Sequence, residues 1–234
     1  MGAIADRFAQ VRERAEFAYR SASRGGGEPR IVCVTKMQSL PNILEAINAG
    51  AAEIGENYLQ EAVRKGVFAL RQSHRVTIRY IGRLQSNKYN AILRNFDAVD
   101  SGDQKFLEHI HAVGGVRTDQ ARTFLLEVNT GEEVQKGGLT IAQIRELATG
   151  HSPWLQEIAG LMAVVPLQAS TEMRSRMYEN VHVLFEDLAE ELGPSRVTTL
   201  SMGTSDDFEV AIEHGSNMIR VGTAIFGPRL PQQA

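Results

Sequence analysis

Short apolar runs alternate with helical segments along almost the whole chain, and this alternation is the feature that most restricts the fold. The runs have the length and the β-branched content of buried strands. Eight strands are predicted, over residues 30–35, 51–56, 76–82, 96–101, 123–129, 157–164, 197–203 and 218–224. Strands that alternate with helices in this way pair in parallel, which indicates an α/β fold.

Helical segments are predicted before the first strand and between the others. An amphipathic helix over residues 3–22 comes first, and an apolar stripe over residues 170–192 is typical of a helix that packs on a core. The remaining predicted helices are residues 40–49, 57–70, 86–94, 103–112, 140–148 and 206–214. Eight strand–helix units in 234 residues predict a (β/α)8 TIM-type barrel with an extra N-terminal helix. An open doubly wound sheet is the alternative.

Composition favours one globular domain that binds a small partner. Hydrophobic residues make up 43% of the chain and charged residues 23%, and no linker separates domains, so we expect a single domain over residues 1–234. The net charge of -3 gives no basic field for nucleic acid or an acidic membrane. Without a second apolar domain to bury, we expect a monomer.

The cysteine content and the N-terminus predict the cellular location. Cys33 is the single cysteine and cannot form an internal disulfide, which suits a reducing compartment. The first 20 residues carry interspersed charges instead of the apolar run of a signal peptide. No stretch approaches the roughly 20 apolar residues of a membrane span. We therefore expect a cytoplasmic protein.

A lysine directly follows the first predicted strand. In a (β/α)8 barrel the working face is formed by the carboxyl ends of the strands and the loops after them. Val32, Val34 and Lys36 share one face of an extended segment, so the ammonium group lies above the barrel interior if that face points inward. Partial burial there lowers the pKa of a lysine and favours attack of its amine on a carbonyl. A solvated lysine that opens the loop is the alternative.

Small and hydroxyl-bearing residues close the last two predicted strands. They are Ser201, Gly203, Thr204 and Ser205 at the end of the seventh strand and Gly222 and Thr223 at the end of the eighth. Glycines let backbone N–H groups approach an anion, and phosphate sites of this fold often lie at these two strands. Ordinary turn chemistry is the alternative. Together with the lysine, these residues predict a ligand that has both a carbonyl and a phosphate.

Three further residues near strand ends are candidates for the same site. Arg220 shares a face of the last strand with Met218 and Gly222, and if that face points inward its guanidinium needs an acceptor, which an ion pair would supply. Asn57 follows the second strand, where it could also cap a helix. Met162, near the end of the sixth strand, could contact a flat ring or fill the core. The six histidines have no metal-ligand spacing, so we expect no metal site.

Six motifs occur in the order that is found in one known family. They are VTKMQSL, IGENYLQEA, IGRLQSNK, VNTGEEVQKGGL, GLMAV and SMGTSDDFEVAIEHGSNMIRVGTAIFG. Through these motifs the chain resembles the YggS/PROSC-like pyridoxal phosphate homeostasis proteins, single-domain barrels related to the N-terminal domain of alanine racemase. The resemblance covers nearly the whole chain. It implies a protein that holds, buffers or delivers pyridoxal 5'-phosphate, with apo-enzymes as candidate recipients and without robust catalytic turnover.

The resemblance also implies which residues bind the cofactor. Lys36 would hold pyridoxal phosphate as an internal aldimine. The other implied contacts are Asn57 and, more weakly, Met162 near the ring, Arg220 at the pyridine nitrogen, and Ser201, Gly222 and Thr223 at the phosphate. A permanent cation beside that nitrogen disfavours its protonation and makes the ring a poorer electron sink. That arrangement suits holding the cofactor more than using it.

Two departures and two rival functions accompany this interpretation. Residues 77–80 replace the aromatic–His pair that the family commonly has before Ile-Gly, and Thr204 stands where a methionine is usual. An amino-acid racemase or decarboxylase of the same fold is the alternative function. A class I aldolase, which also uses a barrel lysine and a phosphate site, is the third hypothesis.

Overall fold

Eight parallel strands form a closed barrel in the computed structural model, in which each strand pairs with the next and β8 pairs with β1. The structure describes residues 2–22, 28–113, 123–131, 137–166 and 168–228. The strands are β1 Arg30–Val34, β2 Glu53–Glu56, β3 Thr77–Tyr80, β4 Ala98–Gly102, β5 Thr123–Val128, β6 Gly160–Ala163, β7 Thr199–Ser201 and β8 Met218–Val221. The predicted (β/α)8 barrel is confirmed, and the open doubly wound sheet is wrong.

Helices surround the barrel and connect its strands. They are α1 Ala3–Ser21, α2 Leu40–Asn48, α3 Leu59–Lys65, α4 Tyr89–Asn95, α5 Gln104–Ala112, α6 Ile141–Thr149, α7 Thr171–Leu192, α8 Phe208–Glu213 and α9 Thr223–Phe226. Short 3₁₀ segments lie at Val67–Gln72, Ser86–Lys88 and Pro153–Glu157. Within the described residues, no helix is long and apolar enough to cross a membrane.

The predicted N-terminal helix packs on the outside of the barrel. The buried stripe of α1 includes Phe8, Val11 and Ala15, and the helix lies against α2, α8 and α9. The side chain of Glu45 on α2 accepts hydrogen bonds from the backbone N–H groups of residues 4 and 5, at 2.9 and 3.2 Å. Because these first-turn groups have no partner within their own helix, Glu45 caps α1 from a neighbouring element.

Several predicted element boundaries differ from the observed ones for local reasons. The predicted helix over residues 57–70 is interrupted at Gly66, whose φ of 73° ends α3 in the left-handed region, and the chain continues as a 3₁₀ turn. Part of the predicted last strand belongs to α9, which begins at Thr223. The sequence also predicts loops at the glycine clusters of residues 25–27 and 114–115, which lie outside the described residues.

Alternation along the strands decides which side chains enter the barrel. Val32, Leu125, Met162 and Met218 form a separate apolar cluster in its interior. The face that carries Val32 and Met218 therefore points inward, as the interpretation of Lys36 and Arg220 requires. Val34 and Lys36 lie two and four residues after Val32, and Arg220 and Gly222 lie two and four residues after Met218. These four residues consequently lie at the carboxyl-terminal mouth of the barrel.

Candidate functional site

A cavity of about 350 Å³ opens at the carboxyl ends of the strands. Its lining residues are Val34, Lys36, Asn57, Ile81, Val164, Thr204, Ser205, Asp206, Arg220, Gly222 and Thr223. Five of the seven residues predicted to bind the cofactor are therefore brought together here. Two other surface depressions, of about 500 and 520 Å³, lie beside α1 and contain none of the predicted site residues.

Lys36 is presented by the turn between β1 and α2. It is partly buried, and the α2 helix begins four residues later with Ser39 as its N-cap. Thr35, directly before it, is fully buried and donates its hydroxyl to the Glu56 carboxylate at 2.7 Å. The turn is thus anchored on β2, and Lys36 lines the cavity together with Val34.

Arg220 lies in the wall of the cavity and is 5% exposed. Its guanidinium donates to the Ser201 carbonyl at 2.8 Å, to the Ser201 hydroxyl at 2.6 Å and to the Ala163 carbonyl at 2.8 Å. These acceptors are neutral, and none of the described carboxylates pairs with Arg220 at ion-pair distance. Burial lowers the pKa of Arg220, whereas the negative charge of Asp100 opposes the shift. Among the described residues, Arg220 is therefore a buried cation held by dipoles and is not a member of an ion pair.

Two predicted site residues lie deeper in the barrel than the cavity lining. Ser201 is fully buried, and its hydroxyl accepts the hydrogen bond from Arg220. Met162 is 3% exposed and belongs to the interior apolar cluster. In the structure, Ser201 orients the arginine and Met162 fills the core beneath the site, the alternative given for this methionine above.

Ser205, which is not among the residues that the resemblance implies, lines the cavity. Its hydroxyl oxygen accepts from the backbone N–H groups of Gly222 and Ala224, both at 3.2 Å. This contact joins the loop after β7 to the start of α9. Composition predicts that the segment SMGTS belongs to the site, but it does not distinguish the two serines. The additional signal is Gly203, whose φ of 93° turns the chain so that the following residues face the cavity.

A buried carboxylate fixes the loop that carries Ser205. Asp207 is 5% exposed and accepts from the Thr204 backbone N–H at 2.7 Å and from the Thr204 hydroxyl at 2.9 Å. It also accepts from the Tyr178 hydroxyl at 2.8 Å. Burial raises the pKa of Tyr178, so this phenol stays protonated as a donor. The threonine that departs from the family pattern thus has a structural partner.

Asn57 contributes an acceptor for which the described residues supply no donor. Its Oδ1 atom is buried and, among the described residues, makes no hydrogen bond. A buried amide oxygen without a donor is costly, and such atoms in a cavity point to a missing partner. The backbone of Asn57 is held against Gly82, where an added Cβ would lie 1.9 Å from the Asn57 carbonyl oxygen.

No cluster of metal-ligating side chains occurs in the described part of the chain. The polar groups of the cavity are an amine, a guanidinium, hydroxyls, an amide and backbone N–H groups, with the exposed carboxylate of Asp206 at the rim. Amines react with carbonyls, whereas guanidinium, hydroxyl and N–H donors bind anions. The geometry therefore suits an organic anion that carries a carbonyl.

Comparisons with known proteins agree with this architecture. Residues 8–230 match the family model described as alanine racemase, N-terminal domain. The pyridoxal phosphate homeostasis proteins of Escherichia coli (strain K12) and Pasteurella multocida are 34% and 31% identical, with 98% and 97% of each pair of chains covered. The structure of PipY from Synechococcus elongatus with PLP bound superposes with a TM-score of 0.75 and 27% identity, over 96% of this chain and 100% of that one. The chain belongs to the pyridoxal phosphate homeostasis proteins, within the family of the alanine racemase N-terminal domain.

Proposed function

We propose that this protein binds pyridoxal 5'-phosphate in the barrel-mouth cavity, attached to Lys36 through a Schiff base, and that it buffers or delivers the cofactor. The observation that carries the proposal is that Lys36, Asn57, Arg220, Gly222 and Thr223 line one cavity although they come from distant parts of the chain. The amine condenses with the aldehyde and one water molecule leaves, so the attachment is reversible by hydrolysis. Reversible attachment suits a protein that releases what it holds.

The groups in the cavity fit the chemistry of this cofactor. Gly222 lines the cavity and carries no side chain, so a phosphate can approach its backbone N–H, which in the structure donates to Ser205 Oγ at 3.2 Å. The Ser205 and Thr223 hydroxyls are donors for the same anion. The unpartnered Asn57 Oδ1 can accept from the ring hydroxyl. Ile81 and Val164 supply apolar surface for a flat ring.

Arg220 sets the electrostatic character of the bound state. When bound, the cofactor supplies an aldehyde and an electron-withdrawing ring. Ser201 and the Ala163 carbonyl hold the guanidinium in one orientation, so a positive charge stays fixed in the cavity wall. A fixed cation disfavours protonation of a neighbouring pyridine nitrogen. This supports a holding role, as do the relatives, which are named homeostasis proteins and not enzymes.

We propose that the protein acts in the cytoplasm as a monomer and exchanges pyridoxal phosphate with apo-enzymes. Cys33, the single cysteine, is free and forms no disulfide, which supports a reducing compartment. Burial raises the pKa of its thiol to about 12, so the thiol stays protonated.

Borohydride reduction tests the attachment. The purified protein is incubated with pyridoxal phosphate, reduced, weighed by intact mass spectrometry and digested, and the modified peptide is mapped. We expect one pyridoxyl-phosphate adduct, on Lys36. The Lys36→Ala variant should lose it, and a matched Lys88→Ala variant should keep it. Absence of the adduct from Lys36 would contradict the proposal, and a reducible adduct with a sugar phosphate would favour the aldolase hypothesis.

A second measurement separates the carrier from the enzyme. Alanine enantiomers incubated with the loaded protein are resolved by chiral chromatography, and in parallel the loaded protein is mixed with an apo-transaminase. We expect recovery of transaminase activity and no sustained racemisation. Racemisation with many turnovers per Lys36 would instead support the racemase alternative.

A further inference from the structure

A charged cluster holds the backbone on both sides of Lys36. It consists of Glu56 at the end of β2 and of Glu61 and Lys65, one turn apart on α3, and is called the α3 cluster below. The Lys65 ammonium lies 2.6 Å from Glu56 Oε1 and 3.0 Å from Glu61 Oε1. Neither glutamate nor this lysine lines the cavity, and none of the three was identified from the sequence as part of a site.

The α3 cluster reaches both peptide groups that flank the Cα atom of Lys36. The Lys65 ammonium donates to the Thr35 carbonyl at 2.8 Å. The Met37 backbone N–H donates to Glu61 Oε1 at 2.5 Å. Since one bond fixes the peptide before Lys36 and the other fixes the peptide after it, rotation of the residue about its own backbone is restrained at both ends.

This region of the backbone is unusual and needs such restraint. Met37 has a φ of 62°, in the left-handed region that a residue with a side chain seldom adopts. Conformations of this kind persist only where surrounding contacts hold them, and they concentrate at ligand sites. Glu61 supplies a contact of that kind directly to the Met37 N–H group.

The cluster is shielded from solvent, so its charges are not screened like those of an ordinary surface pair. The Glu56 side chain is fully buried, and those of Lys65 and Glu61 are 11% and 13% exposed. Burial raises the pKa of Glu56, while the hydrogen bond and charge of Lys65 oppose the shift. Its second oxygen makes no hydrogen bond among the described residues. Removing Lys65 would leave this carboxyl group without its cation, and it would leave the Thr35 carbonyl only the 3.1 Å bond from the Gln38 N–H among the described donors.

We propose that Glu56, Glu61 and Lys65 are positioning residues for Lys36. By fixing both flanking peptide groups they set the direction in which the Lys36 side chain leaves the backbone, and thereby the affinity of the cavity for a phosphorylated aldehyde. The inference rests on the proposed function, because it assigns Lys36 as the attachment point. Because the lysine side chain is long, a small rotation of the backbone moves the amine far. Loss of the α3 cluster therefore displaces the amine from its productive position.

Pyridoxal phosphate titrations of variants test the inference. In Lys65→Met we expect the dissociation constant for pyridoxal phosphate to rise about tenfold, because the free energy of one charge-assisted hydrogen bond corresponds to a change of about this size. The matched control is Arg64→Met, which removes the same charge from an exposed neighbour on α3. Glu61→Ala should also weaken binding about tenfold, whereas Glu61→Gln keeps an acceptor for the Met37 N–H and should recover most of it. Circular dichroism verifies that each variant is folded.

Amide hydrogen exchange separates failure of this inference from failure of the proposed function. Exchange at Met37 should be at least tenfold faster in Glu61→Ala than in Glu61→Gln or in Arg64→Met, with or without cofactor. If folded Lys65→Met and Glu61→Ala bind pyridoxal phosphate within twofold of Arg64→Met, the positioning role is wrong. If the unmodified protein binds no pyridoxal phosphate, the proposed function fails. If amide exchange at Met37 is then also equal in all variants, the α3 cluster does not restrain the backbone beside Lys36 either.

Discussion

At the scale of single residues, Arg79 shows what a departure from the family pattern can contribute. Its guanidinium donates to Asp100 at 2.7 Å and to Glu53 at 2.8 Å, and the residue is 1% exposed. Burial alone would lower the pKa of Arg79, but the two carboxylates outweigh it and raise the pKa. Alternation along β3 could have predicted an inward side chain. The partners could not be predicted, since they lie 21 and 26 residues away.

Arg79→Met is expected to destabilise the fold by about 3–5 kcal/mol, because it leaves Asp100 buried without its cation and takes from Glu53 one of its two arginine partners, the other being Arg30. Urea unfolding at neutral pH measures the change. The control is Arg94→Met, which removes an exposed cation from α4 and should change stability by less than about 0.5 kcal/mol. Equal stability of the two variants would show that this buried triad contributes no more than a surface charge.

Glu127 gives a prediction about pH. Burial raises the pKa of this carboxyl group, and the charge of Arg220 opposes the shift only partly. A raised pKa means that the folded state keeps a proton which the unfolded chain releases. Stability from this group is therefore complete below its unfolded pKa and is lost as the pH rises through the folded pKa.

Above about pH 4.5, where a glutamate ordinarily titrates, the free energy of unfolding should fall less steeply with pH in Glu127→Gln than in the parent protein. Urea unfolding over a pH series measures the slope. The matched control is Glu146→Gln, an exposed position on α6, which should reproduce the parent slope. A slope in Glu127→Gln as steep as that of the parent would contradict the assignment.

At the scale of elements, the close approach of the loops after β2 and β3 positions Asn57. Gly82 follows β3, and an added Cβ there would lie 1.9 Å from the carbonyl oxygen and 2.7 Å from the Cα atom of Asn57. Both neighbours are backbone atoms, so one of the two loops has to move. The sequence shows a glycine at this position, but the contact that requires it involves residues 25 positions apart.

Gly82→Ala should displace Asn57 and weaken pyridoxal phosphate binding about tenfold or more, since a misplaced acceptor loses its hydrogen bond. Absorbance titration measures the affinity. Gly193→Ala is the matched control: Gly193 has a φ of 104°, and a Cβ there would meet nothing within 4 Å. That variant should lose about 1–2 kcal/mol of stability through left-handed strain alone and bind normally. Unchanged binding in Gly82→Ala would remove Asn57 from the site.

At the scale of the whole molecule, the sequence predicts the barrel better than it predicts the site. Eight apolar runs separated by helices leave few topologies, and strand ends then indicate where Lys36 and Gly222 meet. The burial of Ser201, the position of Ser205 in the cavity lining and the bonds of Lys65 depend on contacts between elements. Local patterns do not carry that information, because each contact joins separate strand–helix units.

The position of the cavity within the barrel leads to the last prediction. Lys36 follows β1 and Gly222 follows β8, and these first and last strands pair to close the barrel. A ligand attached to Lys36 and bonded at Gly222 links both ends of the fold, outside which α1 packs on α8 and α9. Because such a ligand binds the closed barrel and not the unfolded chain, it stabilises the whole molecule.

Pyridoxal phosphate at a hundredfold excess over its dissociation constant should raise the unfolding free energy by about 2.7 kcal/mol. For a chain of this size that is a Tm increase of about 5–10 °C, measured by scanning calorimetry. Pyridoxal, which lacks the phosphate, should give a smaller increase at the same concentration, and Lys36→Ala should lose most of the effect. An equal increase in Lys36→Ala would place the stabilising contacts away from β1, and the ligand would then not join the two ends of the barrel.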